Sequence, residues 1–150
     1  MQEALAVAVP EMEDSVDAHS RGTLAFAIWA AQKLKLSDVA VTENETSFKR
    51  VKKDSNAQRG KRMCIAGRIV QIEKEDTGTD RPIFSGLILT NSSDIIGFYA
   101  ADSTGDLVEE SRAKFCGVVT GRYDYSNSAG GMGHAVDMVG VFDIAENRGR

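Results

Sequence analysis

Apolar and polar positions change rhythm once along this chain, at Gly60. Before it, TLAFAIWAAQKL (Thr23–Leu34) sets Leu24, Ile28, Ala31 and Leu34 at helical spacing, is rich in alanine, and has Ser20 or Thr23 to cap its start. Phe26 and Trp29 lie off that stripe. The predicted helix is therefore apolar around much of its circumference and needs cover on more than one side, from the barrel described below or from a partner. Residues 1–22 hold Pro10, clustered acids and no clear period, and read as a poorly ordered lead-in. Residues 23–61 read as this helix followed by a basic connector, in which SFKRVKKDSNAQ (Ser47–Gln58) can form one or two helical turns before Gly60 stops it.

After Gly60 the pattern is that of strands. Met63–Glu73, Pro82–Thr90 and Ile95–Ala101 are rich in β-branched and aromatic residues and are separated by the turn signals Asp76–Asp80 and Asn91–Asp94. A short helix is expected over Ser103–Lys114, where Ser103 and Asp106 have capping-box spacing and Leu107 and Val108 supply an apolar side. Phe115–Tyr125 and His134–Ile144 follow, joined by the glycine-rich NSAGGMG. The order is β-β-β-α-β-β. Glycine weakens a strand, so its recurrence at Gly67, Gly86, Gly97, Gly117, Gly121 and Gly140 marks places where a sheet coils or bulges to close. A small closed barrel fits this better than a flat sheet.

The segment Gly60-Lys61-Arg62-Met63-Cys64-Ile65-Ala66-Gly67-Arg68-Ile69-Val70-Gln71-Ile72 resembles the first strand of bacterial OB-fold domains of the tRNA-anticodon-binding-like group: a Gly-Lys lead, alternating apolar residues, a mid-strand glycine and a closing Ile. KFCGVVTG (Lys114–Gly121) resembles the matching fourth strand. The resemblance covers about residues 60–144. It implies a mainly β fold, a closed five-stranded OB-type barrel over residues 62–146 with an N-terminal helical extension, and 147–150 as a tail. It is specific for fold and poor for function, and fold alone transfers no ligand.

Charge sharpens the picture. The net charge of -4 conceals a stretch of +6 over residues 46–62 between flanks of -5 each. The barrel is thus acidic, and the loop Glu73–Arg81 carries four acids against two bases, which would repel a phosphate backbone. No apolar run approaches the roughly 20 residues that span a bilayer, and the N-terminus lacks a secretory pattern, so no membrane insertion and a cytoplasmic protein, or a soluble fragment of a larger one, are expected. Cys64 and Cys116 have no metal-ligand spacing and no disulfide-scaffold density. The resemblance makes their strands antiparallel neighbours. With both cysteines at strand beginnings, they should lie towards opposite ends of the pairing and stay reduced and inaccessible.

The chemistry on offer is binding rather than catalysis. His19 and His134 are far apart in sequence and in different elements; no nucleophile–base–acid arrangement, metal-ligand cluster or cofactor motif can be read from spacing. The sequons at Asn44 and Asn91 matter only in a secreted protein. The preferred expectation is a non-enzymatic interaction module that recognises a protein partner, or self-assembles, through its N-terminal helix and the flank of the barrel, with Phe26, Trp29, Phe84 and Ile88 as contacts. The alternative is a single-stranded nucleic-acid binder. It would use Lys49, Arg50, Lys52, Lys53, Arg59, Lys61 and Arg62 for the backbone and barrel aromatics, Phe98 and Tyr99 foremost, as a stacking platform. Tyr123 and Tyr125 are further aromatic candidates.

Overall fold

The computed structural model describes residues 1–149. The N-terminal segment, expected as a poorly ordered lead-in, is built into the fold. Helix α1 (Gln2–Ala8) buries Leu5 and Ala8, Pro10 opens a single 3-10 turn, and β1 (Ser15–Val16) lies parallel to the late part of the fourth barrel strand. Helix α2 (Arg21–Lys33) follows, its first turn closed by Ser20, whose Oγ accepts from Thr23 N at 3.2 Å. Gly22 is required there, because a Cβ would collide with Met12 N and Ala8 O where the end of the first helix crosses it.

The buried face of α2 differs from the expected one. Thr23, Phe26, Ala27, Ala30, Ala31 and Leu34 face the protein, while Leu24 and Ile28 are 41% and 50% exposed. The spacing of this buried set is also helical, so periodicity alone could not choose between two overlapping stripes. The set that won puts one large ring and several small residues against the sheet, so the helix approaches closely and Phe26 is covered within its own chain. Trp29 is half-buried and stacks on Phe26 at 5.3 Å.

Three short helices lead to the barrel: α3 (Leu36–Val39), α4 (Phe48–Lys53) and α5 (Ser55–Gln58). Ser47 Oγ accepts from Arg50 N and Asp54 Oδ1 from Ala57 N, so each of the last two begins on its own side-chain cap. Gly60, at φ 89°, ends this region in the left-handed conformation that favours glycine.

Five strands then close on themselves: β2 (Arg62–Glu75), β3 (Ile83–Thr90), β4 (Ile95–Ala101), β5 (Arg112–Ser126) and β6 (Met132–Phe142). Their order is β5-β2-β3-β4-β6, with β6 pairing back onto β5; β4–β6 is parallel and the other pairs are antiparallel. This is the OB-fold arrangement, with the first and fourth barrel strands adjacent. Side chains alternate inward and outward along each strand. Ile69, Ile88, Ile96 and Met138 fill the interior with Phe98, Phe115 and Phe142, whose rings lie 5.1–5.6 Å apart. Outward-facing Tyr99, Ala101, Cys116, Val118, Val139 and Val141 form a second cluster beneath the N-terminal helices. Gly140 lets two strands cross closely, since a Cβ there would meet Cys116 O. Two bulges re-aim the sheet, one between Ile69 and Gln71 and one between Val119 and Gly121.

Two further expectations fail. The Ser103–Lys114 helix does not form: residues 102–111 make successive turns, with Asp102, Gly105 and Glu110 at φ 60°, 54° and 76°. Ser103 Oγ accepts from Gly105 N instead of building a capping box, and Glu110 N donates to Ile69 O, so the segment follows the edge of β2. The other correction concerns Cys64 and Cys116, which are paired in register and joined as a disulfide. Only Arg62–Arg68 of β2 pairs with Arg112–Val118 of β5, so early positions in both strands meet mid-ladder instead of at opposite ends. At the C-terminus, Asn147, assigned to the tail, is buried and its Nδ2 donates to Ser103 O and Phe142 O, tying the chain end to the barrel.

Candidate nucleic-acid interface

Helix α4 is held by its apolar side. Val51 is fully buried in the barrel-interior cluster and Phe48 packs half-buried against it, so this helix plugs one end of the barrel. That anchorage turns its cations outward. Lys49, Arg50, Lys52 and Lys53 are all exposed, and none makes an ion pair among the described residues. A cleft flanks each side. Lys49 and Ser47 line one with Asn91 and Ser92 from the β3–β4 turn; Lys52 lines the other with Arg122, His134 and Asp94.

The remaining expected cations have other work. Arg59 is largely buried and pairs with Asp14 at 3.0 Å. Burial would raise the Asp14 carboxyl, but hydrogen bonds from Arg122 N and Ser55 and the Arg59 charge outweigh it and hold it below its usual range. Arg62 grips Glu45 through Nη2 and Nε, at 2.8 and 3.2 Å, and its backbone N also donates to Glu45 Oε1. Those bonds, the side-chain ones first, depress the Glu45 carboxyl. Lys61 is half-buried beside β5, its carbonyl accepting from Val119 N. The basic segment thus divides into an exposed helix and a structural strap.

The aromatics do not join it. Phe98 is buried in the barrel interior, as is Ile88, so neither can serve the role expected of it. Phe84 is half-buried against the same cluster. Tyr99 faces outward into a separate groove on the β2–β3–β4 face, with Tyr123, Tyr125, His19 and the carboxylates Asp17, Glu73 and Glu75. In that groove His19 stacks on Tyr123 at 4.2 Å with the rings 9° from parallel. Its Nδ1 lies 2.6 Å from Oδ2 of the buried Asp137. Burial drives the Asp137 carboxyl upward, opposed by the His19 hydrogen bond and charge. The sequence offered no signal for this pair, whose members are 118 residues apart. Arg122 was equally hidden, although the Arg-Tyr-Asp-Tyr alternation from Arg122 to Tyr125 does announce a strand with two unlike faces.

The clefts and the groove lie on opposite sides of the projecting part of the β5–β6 hairpin. Arg122 and His134 point to the α4 side, and Tyr123 and Tyr125 to the groove. No helix of the described residues is long and apolar enough to cross a membrane.

No protein-family model matches the chain, and no curated protein matches it. Among solved structures, the mitochondrial single-stranded DNA-binding protein of S. cerevisiae is similar, with a TM-score of 0.37 and 14% identity, over 59% of this chain and 97% of that one.

Proposed function

We propose that this chain is a non-enzymatic OB-fold binding domain that holds single-stranded nucleic acid along the basic rim formed by α4. The observation that carries the reading is the division of labour within the basic segment: Arg59 and Arg62 are spent on internal ion pairs, whereas Lys49, Arg50, Lys52 and Lys53 stand exposed with no ion pair among the described residues, Lys49 and Lys52 each lining a cleft. Cations held at fixed spacing on an anchored helix release counterions from a phosphate backbone at little cost in ordering. His134 and half-buried Phe48 offer ring edges in the clefts, but the contact is mainly to phosphate, and weak base preference follows.

The competing reading, a protein partner or second copy taken on the N-terminal helix and barrel flank, rested on apolar side chains in need of cover, Phe26, Trp29, Phe84 and Ile88. Phe26 and Ile88 have that cover inside the chain. The acidic outer groove turns a phosphate backbone away from the usual OB ligand face, which is why the rim is the proposed contact.

The test is fluorescence anisotropy with a labelled oligothymidylate and its RNA counterpart, longer than the roughly 4–16 nucleotides one OB-fold covers. Engagement of all four cations predicts a slope of log K against log salt of about −3 for single strands. Lys49→Glu with Lys52→Glu should abolish binding and leave the thermal melt unchanged. Binding that is absent in the native protein, or indifferent to the double variant, refutes the proposal.

A further inference from the structure

The outer groove has the opposite chemistry to the rim, and the nucleic-acid reading leaves it unused. Its volume is about 390 Å³, and among the described residues neither a lysine nor an arginine lines it. Asp17 accepts from Ser126 N and Oγ at 2.7 and 3.0 Å, Glu75 from Ser85 Oγ at 2.8 Å, and Glu73 from Gln71 Nε2 at 3.2 Å. All three are thus oriented by neutral donors, and none forms an ion pair among the described residues.

Two independent observations add to these carboxylates. The first is aromatic: Tyr123 stacks with His19 on one side and lies 6.2 Å from Tyr125, 21° from parallel, so ring faces line the wall opposite Glu73 and Glu75. The second is a buried oxygen without a side-chain partner. Asp137 Oδ2 takes His19, and Oδ1, with no side-chain partner, lies on the outer face of the sheet behind the groove's lining, 3.0 Å from where a Cβ at Gly97 would be. The negative field reaches the tyrosines. Burial first, then Asp137 with Glu75 or Asp17, pushes the hydroxyls of Tyr99 and Tyr123 upward.

Carboxylates and π-faces share one preferred guest. An anion is repelled by both. A bare metal ion needs convergent ligands, and no group of three His, Cys, Asp or Glu side chains among the described residues is placed to hold one. A cation on an aliphatic stem satisfies both kinds of wall, its charge facing the carboxylates and its methylenes lying on the rings. We infer that the outer groove binds an organic cation, an ammonium or guanidinium group carried on an aliphatic chain, between Glu73 and Glu75 on one wall and Tyr123 and Tyr125 on the other. The source is either a free amine or a lysine or arginine side chain of an extended peptide.

Isothermal titration of the full chain with agmatine, with a neutral alcohol of similar length and with inorganic phosphate tests this. Agmatine should bind, and the other two should not. Glu73→Gln and Tyr125→Leu, both at accessible positions, should together weaken agmatine binding about tenfold, from a lost charge contact and a lost ring face. Thermal melts of the variants verify folding. A short arginine-containing peptide, compared with agmatine, assigns the source: tighter peptide binding points to a protein segment, equal binding to a free amine. The rim variant Lys49→Glu with Lys52→Glu should leave agmatine binding intact, which separates failure here from failure of the nucleic-acid reading. The inference is overturned if agmatine binds no better than the alcohol, or if the folded groove variants bind it as well as the native chain.

Discussion

Cys64 and Cys116 face each other across the seam where β2 meets β5, their Cα atoms 4.0 Å apart and their sulfurs bonded. The bridge spans 52 residues of sequence, including all of β3 and β4. Closing a loop of that length in the unfolded chain stabilises the native state by about 4 kcal/mol in the chain-entropy account. Reduction, or Cys64→Ala with Cys116→Ala, should therefore lower the denaturant midpoint and steepen the slope, because the unfolded chain without its cross-link exposes more surface. Alkylation of the unreduced, unfolded protein should find no free thiol. Persisting disulfides belong to oxidising surroundings, and the cytoplasmic location expected from the sequence would hold the same pair as thiols. Labelling of both cysteines in protein purified without reductant would contradict the bridge.

The face of α2 makes a second prediction. Phe26→Ala removes a buried ring and should cost about 3–5 kcal/mol. Leu24→Gln and Ile28→Gln alter exposed positions on the same helix and should each change stability by no more than about 0.5 kcal/mol. Chemical denaturation of the three variants checks the order. A reversed order would restore the stripe through Leu24 and Ile28.

Acid should unfold the protein partly through Glu45, Asp14 and Asp143. The Asp143 carboxyl is held low chiefly by the Arg148 hydrogen bond. All three have folded pKa values below their unfolded ones. Their contribution is therefore present above the unfolded carboxylate range and is lost as pH falls through the folded values. Glu45→Gln should flatten the acid limb of a stability–pH curve, and an unchanged limb would discount the Arg62 pair.

Asp137 behaves in the opposite sense. Its folded pKa is raised, so the fold favours the protonated acid, and stability declines as pH climbs from the unfolded value through the folded one. Asp137→Asn has no charge to bury and should remove that decline while leaving a polar partner for His19. Equilibrium unfolding of both proteins across the acid-to-neutral range is the measurement; parallel curves would sink the idea.

Most of the barrel is legible in the sequence because strand alternation and mid-strand glycines report local geometry. Ile69 and Phe115 fall on the inward side of their strands, whereas Ile88 and Phe98, expected as contacts, also lie inside: β3 and β4 are apolar on both faces, so alternation could not choose between them. What resists reading depends on partners distant in the chain. The 102–111 segment has the caps of a helix, but its backbone is claimed by Ile69 and Asn147. The cysteine register depends on how far two strands of unequal length overlap. The cations of the basic segment were visible as a cluster, yet that Arg59 and Arg62 would be consumed and those of α4 spared depended on Asp14 and Glu45, outside the segment. His19 and Asp137 carry no local mark at all.

Thr120, the extra residue at the β5 bulge, is fully buried and its hydroxyl donates to Asp137 O at 3.3 Å. Before it, odd-numbered residues of β5 such as Phe115 and Val119 point inward; beyond it, odd-numbered Tyr123 and Tyr125 point outward and Arg122 turns to the α4 side. The hairpin therefore works as an insulating partition between a cationic compartment and an anionic one, and the phase of a single residue decides which chemistry falls on which side. Deleting Thr120 together with its bulge would leave both faces as they are, whereas straightening the strand with Thr120 kept in line would transpose them, delivering tyrosines to the lysines and an arginine to the glutamates. A change of that kind could exchange the ligand preferences of both surfaces without touching any residue that lines them.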